Sequence, residues 1–105
     1  MKNYKVVSIP ELEGKVKERV HYIAKELGNP IAAKSVWDDY KETRKELKKV
    51  AGSLQDPDSV ELKIRRLKRI NFRSHDYFLL YRIEGETVTV TNIFHFKEDF
   101  ENKMR

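Results

Sequence analysis

Apolar positions repeat with two different periods along the chain, and the change of period divides it into a helical half and a stranded half. After a short strand around Tyr4 to Val7, Leu12, Val16, Val20, Ile23, Ala24 and Leu27 recur at helical spacing and give one apolar stripe on a polar helix. Ser8-Ile9-Pro10-Glu11 reads as a capping box, with Pro10 in the first turn where its missing N–H costs nothing. Gly28-Asn29-Pro30 stops that helix, and Pro30 opens a second one with Ala33, Val36, Trp37, Tyr40, Leu47 and Val50 on its apolar face. So short a link predicts an antiparallel hairpin. Gly52 to Ser59 is loop by composition. Beyond it the pattern alternates, predicting strands near Leu67–Arg73, Tyr77–Glu84 and Thr87–Phe96, with turns at Ser74-His75-Asp76 and Glu84-Gly85-Glu86. The last residues, from Lys97, form a short helix or a tail. The fold class is α+β: an N-terminal strand and an antiparallel helical hairpin packed on one face of a small twisted antiparallel sheet.

Strand parity then divides the sheet into faces. Val88, Val90, Phe94 and Phe96 fall on one side with Asn92; Thr87, Thr89, Thr91, His95 and Lys97 fall on the other, with Ile93 among them. Ile70 and Phe72 alternate with Arg69, Asn71 and Arg73. The apolar sets are expected to meet the helices, leaving an open face that carries Arg69, Asn71, Arg73 and His95. The middle strand is apolar on both sides and parity alone does not orient it.

Composition adds bounds. The 105 residues fit a single domain spanning 1–105, and a 37% share of charged residues with a mean hydropathy of −0.73 excludes a membrane-spanning helix. Cysteine is absent, which excludes a disulfide framework, a zinc-finger pattern and a thiol nucleophile. The N-terminus lacks the apolar stretch of a signal peptide, so the chain reads as cytosolic. Charge is more informative for its position than for its sum. Lys63, Arg65, Arg66, Lys68, Arg69 and Arg73 fall within eleven residues that hold no acid, so of a net charge of +5 the rest of the chain carries −1. Such a block points to an anionic partner.

His21 lies beside the apolar stripe of the first helix and His75 in a turn, and both read as structural. Three His far apart in sequence, with no acidic ligand at a recognised spacing, do not suggest a metal site. Trp37 and Tyr40 sit at core spacing. No Gly-rich phosphate loop is present, which argues against nucleotide hydrolysis.

The order of strand, helical hairpin and three-stranded meander resembles the RelE/ParE superfamily of type II toxin–antitoxin toxins. Arg69 to Ile83 (Arg-Ile-Asn-Phe-Arg-Ser-His-Asp-Tyr-Phe-Leu-Leu-Tyr-Arg-Ile) is similar to the family's basic strand, tight turn and following strand, and Ile93 to Phe100 is similar to its closing strand. Tyr22-Ile23 and Leu27 to Ala33 are similar to the ParE-like hairpin. The resemblance implies a toxin, kept silent by a cognate antitoxin peptide, with no cofactor and no metal. Two targets follow from it, beside the alternative of a toxin-like protein that has lost its activity. One is mRNA on the ribosome, cut by attack of a ribose 2′-OH on the neighbouring phosphate, which needs a proton acceptor and stabilisation of the phosphoryl oxygens. The other is DNA gyrase, bound without catalysis. For the nuclease, the resemblance implies Arg69 and Arg73 on phosphates, His95 as acid or base, and Lys68, Arg66 and Arg82 in substrate binding. Phe78 stands where the family pattern has an arginine, and acids (Glu98, Asp99) stand where bases are frequent. With Arg69 facing out, Phe78 and Leu80 share its face, implying an apolar groove, edged by arginines, for the antitoxin.

Overall fold

The computed structural model describes residues 3–104 and has the element order β1 (Lys5–Ser8), α1 (Pro10–Lys25), α2 (Pro30–Val50), α3 (Val60–Ile64), β2 (Lys68–Asn71), β3 (Tyr77–Glu84), β4 (Thr87–His95) and α4 (Phe100–Lys103). The four strands form one sheet in the order β1-β4-β3-β2. The meander is antiparallel as expected, but β1 joins β4 in parallel, with Val6 opposite Val88, so the sheet is mixed.

The hairpin forms where its punctuation predicts. Gly28 takes a left-handed φ of 62°, and Asn29 caps α2 by accepting from the Ala32 N–H at 3.0 Å. Tyr40 of α2 donates to Glu13 of α1 at 2.9 Å, which brings the middle of the second helix back against the start of the first. The expected capping box is corrected: Ile9 is the N-cap of α1 and makes no side-chain cap, because Ser8 belongs to β1. Ser8 Oγ instead accepts from Arg44 Nε at 3.0 Å, and the same guanidinium donates to the Val6 carbonyl, so α2 clamps β1. Leu27 lies beyond the end of α1 and is exposed.

The sheet is covered on both faces, not one. The main core lies between the hairpin and the sheet and contains Leu12, Val16, Val36, Tyr40, Leu79, Tyr81, Val88, Val90 and Ile93. On the far face a second cluster holds Leu62, Leu67, Phe78, Leu80 and Phe94, capped by Phe100 and Met104. The α3 helix supplies Leu62 and was not expected. Ser59 starts it, accepting from the Leu62 N–H at 3.3 Å. The C-terminal segment is the short helix α4.

Strand parity fails at one place. Leu80 pairs with Asn92 but Tyr81 pairs with Val90, so Thr91 is an extra residue in β4. The bulge turns the rest of the strand over: Ile93 joins Val88 and Val90 on the hairpin side, while Phe94 faces the second cluster. His95 is carried with Ile93 to the hairpin side and Phe96 with Phe94 to the other.

Candidate functional site

The far face of the sheet is centred on Arg69. In β2, Ile70 points into the main core, so Arg69 and Asn71 point away from it. The Arg69 guanidinium lies 3.8 Å from the Phe78 ring centroid and 5.1 Å from that of Phe96, and its Nε donates to Asn71 Oδ1 at 2.8 Å. Stacking on two aromatic faces and a fixed amide acceptor hold the planar group in one orientation. Partial burial makes its charge costlier and pulls its pKa down from the usual value. It stands at a cleft of about 720 Å³ bordered by Glu46 of α2, Asp56 and Pro57 of the loop before α3, Asn71, and Phe100 of α4.

The remaining bases of the block have separate tasks. Lys68 Nζ donates to the Leu54 carbonyl at 2.6 Å and lies 3.6 Å from Asp56 Oδ1, hooking the loop before α3 across the outer strand. Arg65 Nε donates to Glu61, and its terminal nitrogen donates to the Met104 carbonyl at 2.8 Å, which ties α3 to the C-terminal segment. Arg66 is exposed and has a φ of 58°, a left-handed backbone that a non-glycine residue adopts at a cost. Arg82 is paired with Glu84 at 2.7 Å on the exposed end of β3.

Phe78 and Leu80 do share a face with Arg69 and Arg82, as the register requires, but the open groove expected there is corrected. Both are buried, at 1% and 0% exposure. Phe100 makes an edge contact with Phe78 at 5.4 Å and lies 6.0 Å from Phe94, and Met104 and Leu62 complete the cover.

His95 is not brought to Arg69, while Arg73 is held by Glu46, which also borders the Arg69 cleft. Arg73 follows β2 in a bend that runs back to the hairpin, where it pairs with Glu46 at 3.1 Å and its backbone N–H donates to Asp39. His95, moved by the Thr91 bulge, sits on the hairpin side with its ring edge-on to Tyr77 at 5.0 Å. The single open face carrying Arg69, Asn71, Arg73 and His95 is therefore corrected: Arg69 and Asn71 lie on one side of the sheet and His95 on the other, with Arg73 in the bend beyond β2.

Two carboxylates, Glu98 and Asp39, organise the hairpin side. Glu98 accepts from Arg19 at 2.6 Å, from Lys103 at 2.7 Å and from the His95 N–H at 2.7 Å. Burial alone raises its pKa, but these donors outweigh burial and hold the carboxyl down at about 2. Asp39, buried on α2, accepts from three donors of the β2–β3 turn: the backbone N–H groups of Arg73 and Ser74, and Nδ1 of His75 at 2.8 Å. An acid three residues after the last strand's histidine has no sequence signature, but Ile93, apolar and out of step with Val88 and Val90, was a visible sign of the bulge. Among the described residues no group of three His, Asp or Glu side chains is arranged to hold a metal ion, and no helix is long and apolar enough to cross a membrane.

No family model matches the sequence, and no curated protein matches it. Among solved structures, a chain of the chromosomal ParDE TA system from P. aeruginosa is similar at 15% identity over 88% of this chain and 95% of that one, with a TM-score of 0.70. The β1-α-α-β-β-β arrangement expected from the sequence, an α+β fold, is thus also the fold of that solved chain.

Proposed function

We propose that the chain is the toxin of a type II toxin–antitoxin pair, acting in the cytoplasm, and that it stops growth by binding a protein target, as the gyrase-directed branch of the family does, and not by cutting RNA. The observation that carries this reading is that Arg69 and His95 stand on opposite faces of the sheet. One phosphate cannot touch a cation on one face and an imidazole on the other, and acid–base catalysis needs both within hydrogen-bond reach of the same reacting atoms. What remains on the far side is a cationic surface running from α3 to the start of β2 and carrying Lys63, Arg65, Arg66 and Arg69.

The same surface suits the antitoxin. Val60 and Ile64 are 66% and 73% exposed, one helical turn apart on α3, with Lys63 between them and Arg66 just beyond. An acidic peptide with apolar anchors matches that pattern. This moves the proposed antitoxin contact from Phe78 and Leu80, which are covered, to the outer side of α3.

Ribosome-dependent mRNA cleavage is a second reading, favoured by the fixed orientation of Arg69 at the 720 Å³ cleft, since a preorganised guanidinium is what a phosphoryl oxygen needs. Regulated expression in bacteria tests the proposal. Growth arrest relieved by co-expressing the adjacent small open reading frame is expected, with induction of the DNA-damage response and intact transcripts. Normal growth with soluble protein present overturns the toxin reading, and cleaved transcripts without DNA damage replace the binding mode with the nuclease.

A further inference from the structure

His75 has a second polar partner that turn anchoring does not require. The buried Asp39 carboxylate receives its Nδ1 at 2.8 Å, together with the Arg73 and Ser74 N–H groups. A carboxylate oxygen accepts, so Nδ1 donates to Asp39, and in the neutral ring Nε2 is the nitrogen that presents a lone pair. That lone pair faces Ser35 Oγ at 3.3 Å. Ser35 and Asp39 stand four residues apart on α2 and so lie on the same side of the helix, with the imidazole bridging them. The backbone donors alone account for Asp39 as the anchor of the turn. They do not account for a hydroxyl placed at the far nitrogen of a ring whose near nitrogen is fixed by a buried acid.

We propose that Ser35 is an activated nucleophile, with His75 as its general base and Asp39 as the positioning residue that fixes the tautomer. The site is independent of the toxin reading. The hydrogen-bonded order hydroxyl, imidazole, buried carboxylate is the arrangement that generates serine nucleophiles on unrelated folds. The substrate class is an activated carboxylic ester, with apolar surface on either side of the imidazole: Pro30 and Ile31 border the cleft that Ser35 lines, and Ile23, Leu27, Ala32 and Val36 border a second cleft of about 440 Å³ that His75 lines and Ser35 does not. In the step, Ser35 Oγ forms a bond to the acyl carbon while its proton passes to His75 Nε2. The carbon–alkoxide bond then breaks, and the leaving oxygen departs with that proton if it is basic enough to need it. Water, deprotonated by the same Nε2, returns the serine and releases the acid. Ser35 lies inside α2, so its own N–H is committed to the helix and offers no oxyanion donor. Acylation is therefore slow and the acyl-serine long-lived, which makes it detectable.

The test uses the full chain with p-nitrophenyl acetate and, separately, a fluorophosphonate probe, followed by peptide mass spectrometry. The expected result is one adduct on Ser35 and a burst of about one equivalent of p-nitrophenolate. Ser35→Ala, at an exposed position, removes both. His75→Ala slows labelling by about 100-fold, and added imidazole restores part of the rate, which a merely structural role does not predict. A downfield Nδ1 proton resonance, lost in Asp39→Asn, reports the positioning bond. Adducts confined to lysines and tyrosines, or Ser35 labelling at an unchanged rate in His75→Ala, overturn the proposal.

Discussion

Replacing Glu98 by Gln removes one negative charge from a site where three elements meet. Arg19 reaches it from α1, Lys103 from α4, and the His95 N–H from the end of β4. The carboxyl is held at about 2 in the folded chain against an ordinary value of 4.5. Each tenfold change in proton affinity is worth about 1.4 kcal/mol. Arg19 and Lys103 both stand partly in solvent, and screening reduces the net contribution to about 2 kcal/mol. Because the folded-state value is depressed, this stability is fully present above the range of a free glutamate and is lost as pH falls toward about 2. Glu98→Gln should therefore lower the melting temperature by roughly 10 °C at neutral pH. Thermal unfolding followed by circular dichroism from pH 7 to pH 2 should show the gap between parent and variant closing over the last two pH units. A gap that is absent at pH 7, or that persists unchanged at pH 2, refutes the electrostatic account.

Other changes probe the remaining features. Tyr81→Phe deletes a fully buried hydroxyl that donates to the Ala51 carbonyl at 2.9 Å and strands that acceptor; denaturant melts should show a loss of about 1–2 kcal/mol, and no loss would mean water replaces the bond. Phe100→Ala uncovers Phe78 and Phe94, so we expect roughly 1–2 kcal/mol of destabilisation with a rise in binding of a hydrophobic dye; an unchanged dye signal would show that α4 is not the cover. Arg69→Lys keeps the charge but loses the planar stack on Phe78 and Phe96, and should weaken growth arrest nearly as much as Arg69→Ala. Full arrest with Arg69→Lys would reduce the role of Arg69 to charge alone.

The hairpin and the meander were legible because their signals are local. Gly28-Asn29-Pro30 marks a helix boundary by backbone restriction, and the alternation of Val88 and Val90 with threonines needs no partner to be read. Ser8 misled because a serine three residues before a glutamate is also what a strand end looks like when an arginine from another helix, here Arg44, takes the hydroxyl. The α3 helix is five residues with one buried position, Leu62, too short for a period to show. The site was legible only in composition. Reading its faces required the alternation to continue through Thr91, and a single inserted residue sends every later side chain to the opposite side. That shift separated His95 from Arg69. The burial of Phe78 and Leu80 depended on contacts with Phe100 and Met104, some twenty residues away, which strand parity does not encode.

The parallel pairing of β1 with β4 has a consequence for the order in which the protein is completed. The first strand made has nothing to pair with until the last is made, and β4 then takes the centre of the sheet with β1 on one side and β3 on the other. During synthesis the hairpin is available early, while the sheet lacks its middle until nearly the whole chain has emerged. Loss of β2 from the far end removes an edge, but truncation before Thr87 leaves β1 and β3 without the strand that joins them. A nascent or prematurely terminated chain is thus an incomplete sheet, and the folded surface exists only once the C-terminal fifth of the sequence has been added.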